Sequence, residues 1–289
     1  MAEHESIAVL GAGGMMGFAI ARNLARAGLL VHAWDRSREK AEPLSEHGAQ
    51  IAGSPHEAAK DVSVILTMLA DADAVSEAAT DALAGGEGER TWLQMSTIGE
   101  QGTERCVEIA REHGVTLVDA PVLGSVQPAE EGKLVVMASG PEHVRDGLEP
   151  MFETIGRRTM WVGEAGMGTR LKIATNSWLV SVVEGGAETL ALAEGMGLDP
   201  QLVLDAIKGG ALDVPYLQMK GKAMIERRFE PSFKLRLAAK DAKLAYESAQ
   251  TRQLDLPLIA TISERLQDGV AQHGDEDVAA TFLTSVPSS

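Results

Sequence analysis

Short apolar runs recur along the first half of the chain, at Ile7–Leu10, Val31–Trp34, Val62–Met68, Trp92–Met95, Val115–Val118, Leu134–Ala138 and Thr159–Val162. Helical stretches such as Ala19–Arg26 and Thr103–Glu112 separate most of them. Strands that are apolar throughout, alternating with helices, belong to a sheet covered on both faces. The pattern therefore predicts an α/β domain with a mainly parallel, doubly wound sheet. After Gly166 the strand pattern stops. Helices are predicted at Thr169–Met196, Pro200–Lys208, Pro215–Ile225, Phe233–Gln253 and Leu256–Gln267, with Pro and Gly at the joints. The change of pattern near 163–168 predicts two domains, 1–163 around the sheet and 164–289 all helical.

The first strand runs directly into Gly11-Ala12-Gly13-Gly14-Met15-Met16-Gly17 and then a helix. Glycines let the backbone turn tightly against a pyrophosphate, and the helix N-terminus supplies unpaired N–H groups and positive dipole. Gly11, Gly13 and Gly14 are thus candidate dinucleotide-binding positions. Met15 and Met16 are assigned to the same turn and are expected to pack beneath it. In such motifs an acidic residue follows about 20 residues later, to take the ribose hydroxyls. Asp35 follows Gly17 by 18 residues, and Arg36-Ser37 come next. A carboxylate there favours NAD, whereas a guanidinium beside a hydroxyl favours the 2′-phosphate of NADP. The balance tips slightly toward NADP.

Two further segments carry candidate chemistry. The strand Val115–Val118 ends in Asp119-Ala120-Pro121-Val122-Leu123-Gly124-Ser125. A proline-fixed loop at the carboxyl end of a strand can aim backbone N–H groups at a small anion. Further on, Lys172 and Asn176 are four residues apart and share one helix face. Lys172 is the single charged residue from Leu171 to Val183, so the helix is expected to be buried almost all round. A lysine there must reach water, a partner or a substrate. Snorkelling near a helix start is the plain alternative.

Composition narrows the classes. The chain has 289 residues, 45% apolar and 24% charged, the balance of an ordinary globular protein. The net charge of −16 argues against nucleic acid or an anionic membrane as a partner. Apolar runs fall well short of the ~20 residues that span a bilayer. The one cysteine, Cys106, forbids an intrachain disulfide, and with no secretion-type leader the expected location is the cytoplasm. The histidines show no metal-ligand spacing, and no metal is expected.

Taken together, GAGGMMGFAIARNL, MSTI at 95–98, DAPVLGSVQPAEEGKL, GEAGMGTRLKIATN and AAKDAKLA at 238–245 resemble the β-hydroxyacid dehydrogenase family. That family includes 3-hydroxyisobutyrate dehydrogenases and tartronate, glyoxylate and succinic semialdehyde reductases, and imine reductases are its relatives. The resemblance implies a Rossmann-type N-terminal domain, a helical C-terminal domain, an active site between them, and a homodimer or tetramer. It implies that Lys172 is the catalytic lysine and that Asn176 holds the substrate. Gly124 and Ser125 fall in its substrate loop, Thr97 in the segment that approaches the nicotinamide, and Lys240 next to Asp241 in a pair close to the cofactor. Three departures stand out. The glycine turn is one residue longer than the family's. Asp35-Arg36-Ser37 replaces an Asn-Arg-Thr/Ser pattern. Leu123 replaces a serine in the substrate loop, which removes a hydroxyl donor.

The implied activity is NAD(P)-dependent hydride transfer to or from a small β-hydroxyacid or its semialdehyde. Lys172 would act as general acid in reduction and general base in oxidation. An imine reductase on the same scaffold and a non-catalytic cofactor-binding protein are the alternatives.

Overall fold

A computed structural model describes residues 6–85 and 89–286. The elements run β1 (Ser6–Leu10), α1 (Met15–Arg26), β2 (Leu30–Trp34), α2 (Arg38–Ala41), β3 (Gln50–Ile51), α3 (Pro55–Ala58), β4 (Val64–Thr67), α4 (Ala72–Leu83), β5 (Thr91–Gln94), α5 (Gly99–Glu112) and β6 (Thr116–Asp119). Then follow β7 (Val122–Leu123), α6 (Val126–Glu130), β8 (Leu134–Ala138), α7 (Arg145–Ile155), β9 (Gly156–Trp161) and the long α8 (Met167–Gly195). Helices α9 (Gln201–Ile207), α10 (Pro215–Glu226), α11 (Leu235–Thr251) and α12 (Pro257–His273) complete the chain, with a 3₁₀ turn at Val278–Thr284.

The chain divides into two compact units, 1–172 and 173–289. In the first, a six-stranded parallel sheet has the order β3-β2-β1-β4-β5-β6, that of a Rossmann fold. Alternation along β1 explains its two covered faces. Ile7 and Val9 join the core under α1 and α7, while Ala8 and Leu10 join the core under α3, α4 and α5.

The strand pattern over-reads one sheet where there are two. The later strands form a separate three-stranded sheet, β7-β8-β9, in which β7 is antiparallel to β8 and β9 parallel to it. One isolated bridge, Asp119 to Ser139, connects the end of β6 to the end of β8. The two-residue strands β3 and β7 are too short to carry a periodic signal.

The second unit is helical. Its core holds Val180, Val183, Leu190, Leu204, Leu235, Ile262 and Leu266 among others. Along α11 the buried positions are mostly alanines, Ala238, Ala239, Ala242, Ala245 and Ala249, which lets α12 approach closely.

Candidate functional site

Strand β1 ends in a turn where Gly11 has φ +93°, a conformation that favours glycine. A Cβ on Gly11 would lie 2.2 Å from the Met68 carbonyl oxygen, and one on Gly17 would lie 2.1 Å from the Gly11 carbonyl oxygen. This backbone is built to be bare. The Gly13 and Gly14 amides are used internally, by Asp35 Oδ2 at 3.0 Å and by the Gly11 carbonyl at 3.1 Å. The next three amides, of Met15, Met16 and Gly17, open α1 and have no intrahelical acceptor. A glycine-rich turn followed by three amides without intrahelical acceptors fits the pyrophosphate of a dinucleotide. Met15 does not pack beneath the turn. It is 39% exposed, because it sits at the first helical position away from the face that buries Gly17, Ile20 and Leu24. Met16 is half-buried against the sheet core.

Asp35 lies at the end of β2, where its motif expects it, but both carboxylate oxygens are engaged. Oδ2 accepts from the Gly13 amide and Oδ1 from the Ser37 amide at 2.9 Å. The side chain staples the glycine turn to the β2–α2 connection. Arg36 is exposed and Ser37 half-buried.

At the end of β5, the Gln94 side chain brackets Ser96, with Nε2 donating to the Ser96 carbonyl and Oε1 accepting the Ser96 amide at 2.7 Å. Ser96 Oγ in turn accepts the Leu69 amide. This clamp fixes the backbone that carries Thr97, which is half-buried. Leu123 pairs with Val135 in β7–β8. Gly124 follows with φ +137°, a conformation closed to most side chains. Ser125 opens α6, and its side chain makes no cap.

At the end of β6, Asp119 is completely buried. Its Oδ2 accepts the Thr169 amide at 2.7 Å and its Oδ1 accepts Thr169 Oγ1 at 2.9 Å, with Ser139 Oγ at 3.3 Å from Oδ2. Burial pushes the Asp119 carboxyl above its ordinary pKa, against the pull of these bonds. Three residues further along α8 lies Lys172, 8% exposed. Sequence reasoning treated 119–125 only as a loop and missed Asp119, Ser139 and Thr169. The available signal was a Thr at a predicted helix start, which marks a first turn that needs acceptors. Cys106 is buried near Asp119, and burial above all pushes its thiol up to about 12, so it stays protonated.

In the second unit, Asn176 is 2% exposed. Its Nδ2 donates to Asp241 Oδ2 at 2.6 Å, while its Oδ1 is buried with no partner. An orphaned acceptor of this kind calls for a donor from outside the fold. Lys240 Nζ stands 3.2 Å from Asp241 Oδ1. Asn176, Asp241 and Lys240 therefore form one linked group. The helix that carries Lys172 and Asn176 is not buried all round. Ala174 and Trp178 share the opposite face, and Trp178 is 65% exposed. The low charge of 171–183 reflects an apolar outer face rather than complete enclosure. Phe233 packs against the helical core.

Two family models match the chain. The NAD binding domain of 6-phosphogluconate dehydrogenase covers residues 6–163, and the NAD-binding region of NADP-dependent 3-hydroxyisobutyrate dehydrogenase covers residues 166–283. Among similar proteins, glyoxylate/succinic semialdehyde reductase 1 of Arabidopsis thaliana is 30% identical, over 93% of this chain and 94% of that protein. The 2-hydroxy-3-oxopropionate reductase of Escherichia coli is 33% identical, over 91% of each. Among solved structures, Mycobacterium tuberculosis 3-hydroxyisobutyrate dehydrogenase with L-serine superposes with a TM-score of 0.88 at 28% identity, covering 98% of this chain and 99% of that one. Among the described residues no helix is long and apolar enough to cross a membrane.

Proposed function

The chain belongs to the 3-hydroxyisobutyrate dehydrogenase group of NAD(P)-dependent β-hydroxyacid dehydrogenases, and from that premise we propose that it reduces a small semialdehyde acid to the β-hydroxyacid, or runs the reverse oxidation. The observation that carries the reading is a buried lysine and a buried asparagine with an orphaned oxygen, four residues apart on α8. A bound dinucleotide supplies the hydride. In reduction, Lys172 as an ammonium stabilises the charge that builds on the carbonyl oxygen and donates the proton to it. In oxidation it takes the hydroxyl proton and must start neutral. Asn176 offers Oδ1 to a substrate hydroxyl, with its amide orientation set by Asp241. Gly124 and Ser125 present backbone N–H groups to the substrate carboxylate, and Leu123 puts an apolar side chain there in place of a hydroxyl donor. Thr97 and Lys240 would contribute to holding the cofactor.

The first-turn amides at Met15 and Met16 would hold the pyrophosphate, with Gly11, Gly13 and Gly14 giving it a backbone that it can approach closely. NADP is the cofactor we favour over NAD. Asp35 already spends both oxygens on backbone amides, and exposed Arg36 with Ser37 offers a phosphate clamp. The nucleotide domain is placed at 1–163 and the substrate domain at 164–289. A homodimer or tetramer is proposed because the helical unit exposes Trp178, Leu192, Met196, Leu202, Leu212 and Leu258, more apolar surface than a monomer commonly leaves wet. A free buried thiol fits a reducing location, the cytoplasm.

The test is a panel of glyoxylate, succinic semialdehyde, their hydroxyacids and a cyclic imine, each with NADPH and NADH. The expected result is turnover of a semialdehyde acid with NADPH preferred. Lys172→Ala should lower kcat/KM by at least ~10² while cofactor binding survives. Turnover of the imine alone would move the chain to the imine reductases. Bound cofactor without turnover anywhere would make it a binding protein, and near-wild-type K172A would remove the lysine from the reaction.

A further inference from the structure

We infer that Asp119 is a positioning residue for Lys172: its carboxylate, with Ser139, Gly168, Thr169 and Thr103, clamps the first turn of α8 to the ends of β6 and β8 and so sets where the lysine stands. The inference rests on Lys172 being the general acid–base proposed above, and every group in the clamp lies in the sheet unit.

Five hydrogen bonds converge on this turn. The Thr169 amide, an orphan donor of the helix start, is taken by Asp119 Oδ2 at 2.7 Å. The Gly168 amide is taken by Ser139 Oγ at 2.9 Å. Thr169 Oγ1 bonds both Asp119 Oδ1 and Thr103 Oγ1 on α5, each at 2.9 Å. Arg170 Nε adds a bond to Glu100 Oε2 at 3.1 Å. The base of the clamp is equally fixed, since Asp119 and Ser139 exchange both backbone bonds, at 2.9 and 2.7 Å.

Steric fit is an independent observation. A Cβ on Gly168 would lie 2.2 Å from the Met137 carbonyl oxygen and 2.9 Å from that of Asp119. The helix start is pressed onto β8 and β6 as far as a bare backbone allows. A 29-residue helix has many ways to pack, but a turn held by side chain and backbone contact has one height and one rotation. Lys172 is one turn on, so freedom at Thr169 passes directly to it. A carboxylate suits the place because the helix dipole favours negative charge there.

The experiment compares Asp119→Ala, Asp119→Asn and Thr169→Val with the wild type in the full chain. Misplacing the lysine should lower kcat of D119A about 10²-fold, with the cofactor dissociation constant changed less than about threefold. D119N keeps an oxygen for the Thr169 amide and should return to within about tenfold of wild type. Acylation of Lys172 by an amine-reactive reagent, read by mass spectrometry, should run at least about tenfold faster in D119A, while buried Lys220 in the other unit keeps its rate. Hydrogen exchange of the segment 167–172 should rise in parallel. If D119A does not fold, T169V carries the same predictions at smaller size. Unchanged Lys172 labelling and unchanged exchange would overturn the inference. So would a kcat loss that D119N does not recover. A wild type that reduces nothing would sink the proposed function instead, and the labelling and exchange would still decide the clamp.

Discussion

Asp119 in the sheet unit and Asp277 in the helical unit are both buried aspartates, yet they are held in different ways. The donors to Asp119 are neutral: the backbone amides of Gly166 and Thr169 and the hydroxyls of Thr169 and Ser139. Asp277 meets a cation. Lys220 Nζ lies 2.7 and 2.8 Å from its two oxygens, and the amides of Ser232, Phe233 and Ala279 add their bonds. For Asp119 burial wins and the carboxyl titrates above its ordinary value. For Asp277 burial also pushes upward, but Lys220 and the donated bonds outweigh it and the carboxyl ends below. The comparison also bears on the lysines. Lys220 is 3% exposed, deeper than Lys172, and its ammonium is consumed in tying α10 to the start of α11 and the final 3₁₀ turn. Burial alone does not mark a lysine as chemical.

The largest effect expected is on the ionic lock. Lys220→Ala leaves Asp277 buried without its counter-charge and should cost about 3–5 kcal/mol in denaturant unfolding. A loss below about 1 kcal/mol would mean that the two carboxylates are held alike after all. Gly168→Ala attacks the neutral clamp by volume and should cost about 1–3 kcal/mol, measured the same way. Ser232→Ala removes a hydroxyl 3.1 Å from Asp277 Oδ2 and 2.9 Å from Lys220 Nζ. It should cost about 1 kcal/mol.

The smallest effect is the most diagnostic, because its sign differs between the two sites. The lowered carboxyl of Asp277 contributes stability above its ordinary pKa and loses it as pH falls through the folded value. The raised carboxyl of Asp119 does the reverse, contributing below its ordinary pKa and losing that as pH rises through the folded value. Unfolding from about pH 7 to about pH 3 should therefore show the cost of Asp277→Asn shrinking and that of Asp119→Asn growing. Parallel slopes would erase the distinction.

Much of the candidate site is legible in the sequence, for local reasons. The glycine turn, Asp35 and the Lys172–Asn176 pair are each defined by spacing within a few residues of one element, and spacing survives folding. Three things were not readable. Asp119, Ser139 and Thr169 are up to 50 residues apart, and their meeting depends on where β6, β8 and α8 end. Asp35 keeps its motif position, but what its oxygens bind is settled by the course of the turn at Gly13. Trp178 sits in the apolar stretch that follows Lys172, and only packing shows that its face of α8 is exposed.

By itself the amino-acid order determined the α/β-then-α arrangement, the bare turn after β1 and the shared face of Lys172 and Asn176. Each follows from a period of two or of 3.6 and from the backbone freedom of glycine, which act over a few residues. Tertiary structure alone decided that the later strands form a second sheet, that Asp277 is matched by a lysine and Asp119 by neutral donors, and that Asn176 Oδ1 is left without a partner. Those outcomes hang on which distant groups reach one another once water has been excluded, and no local pattern encodes that.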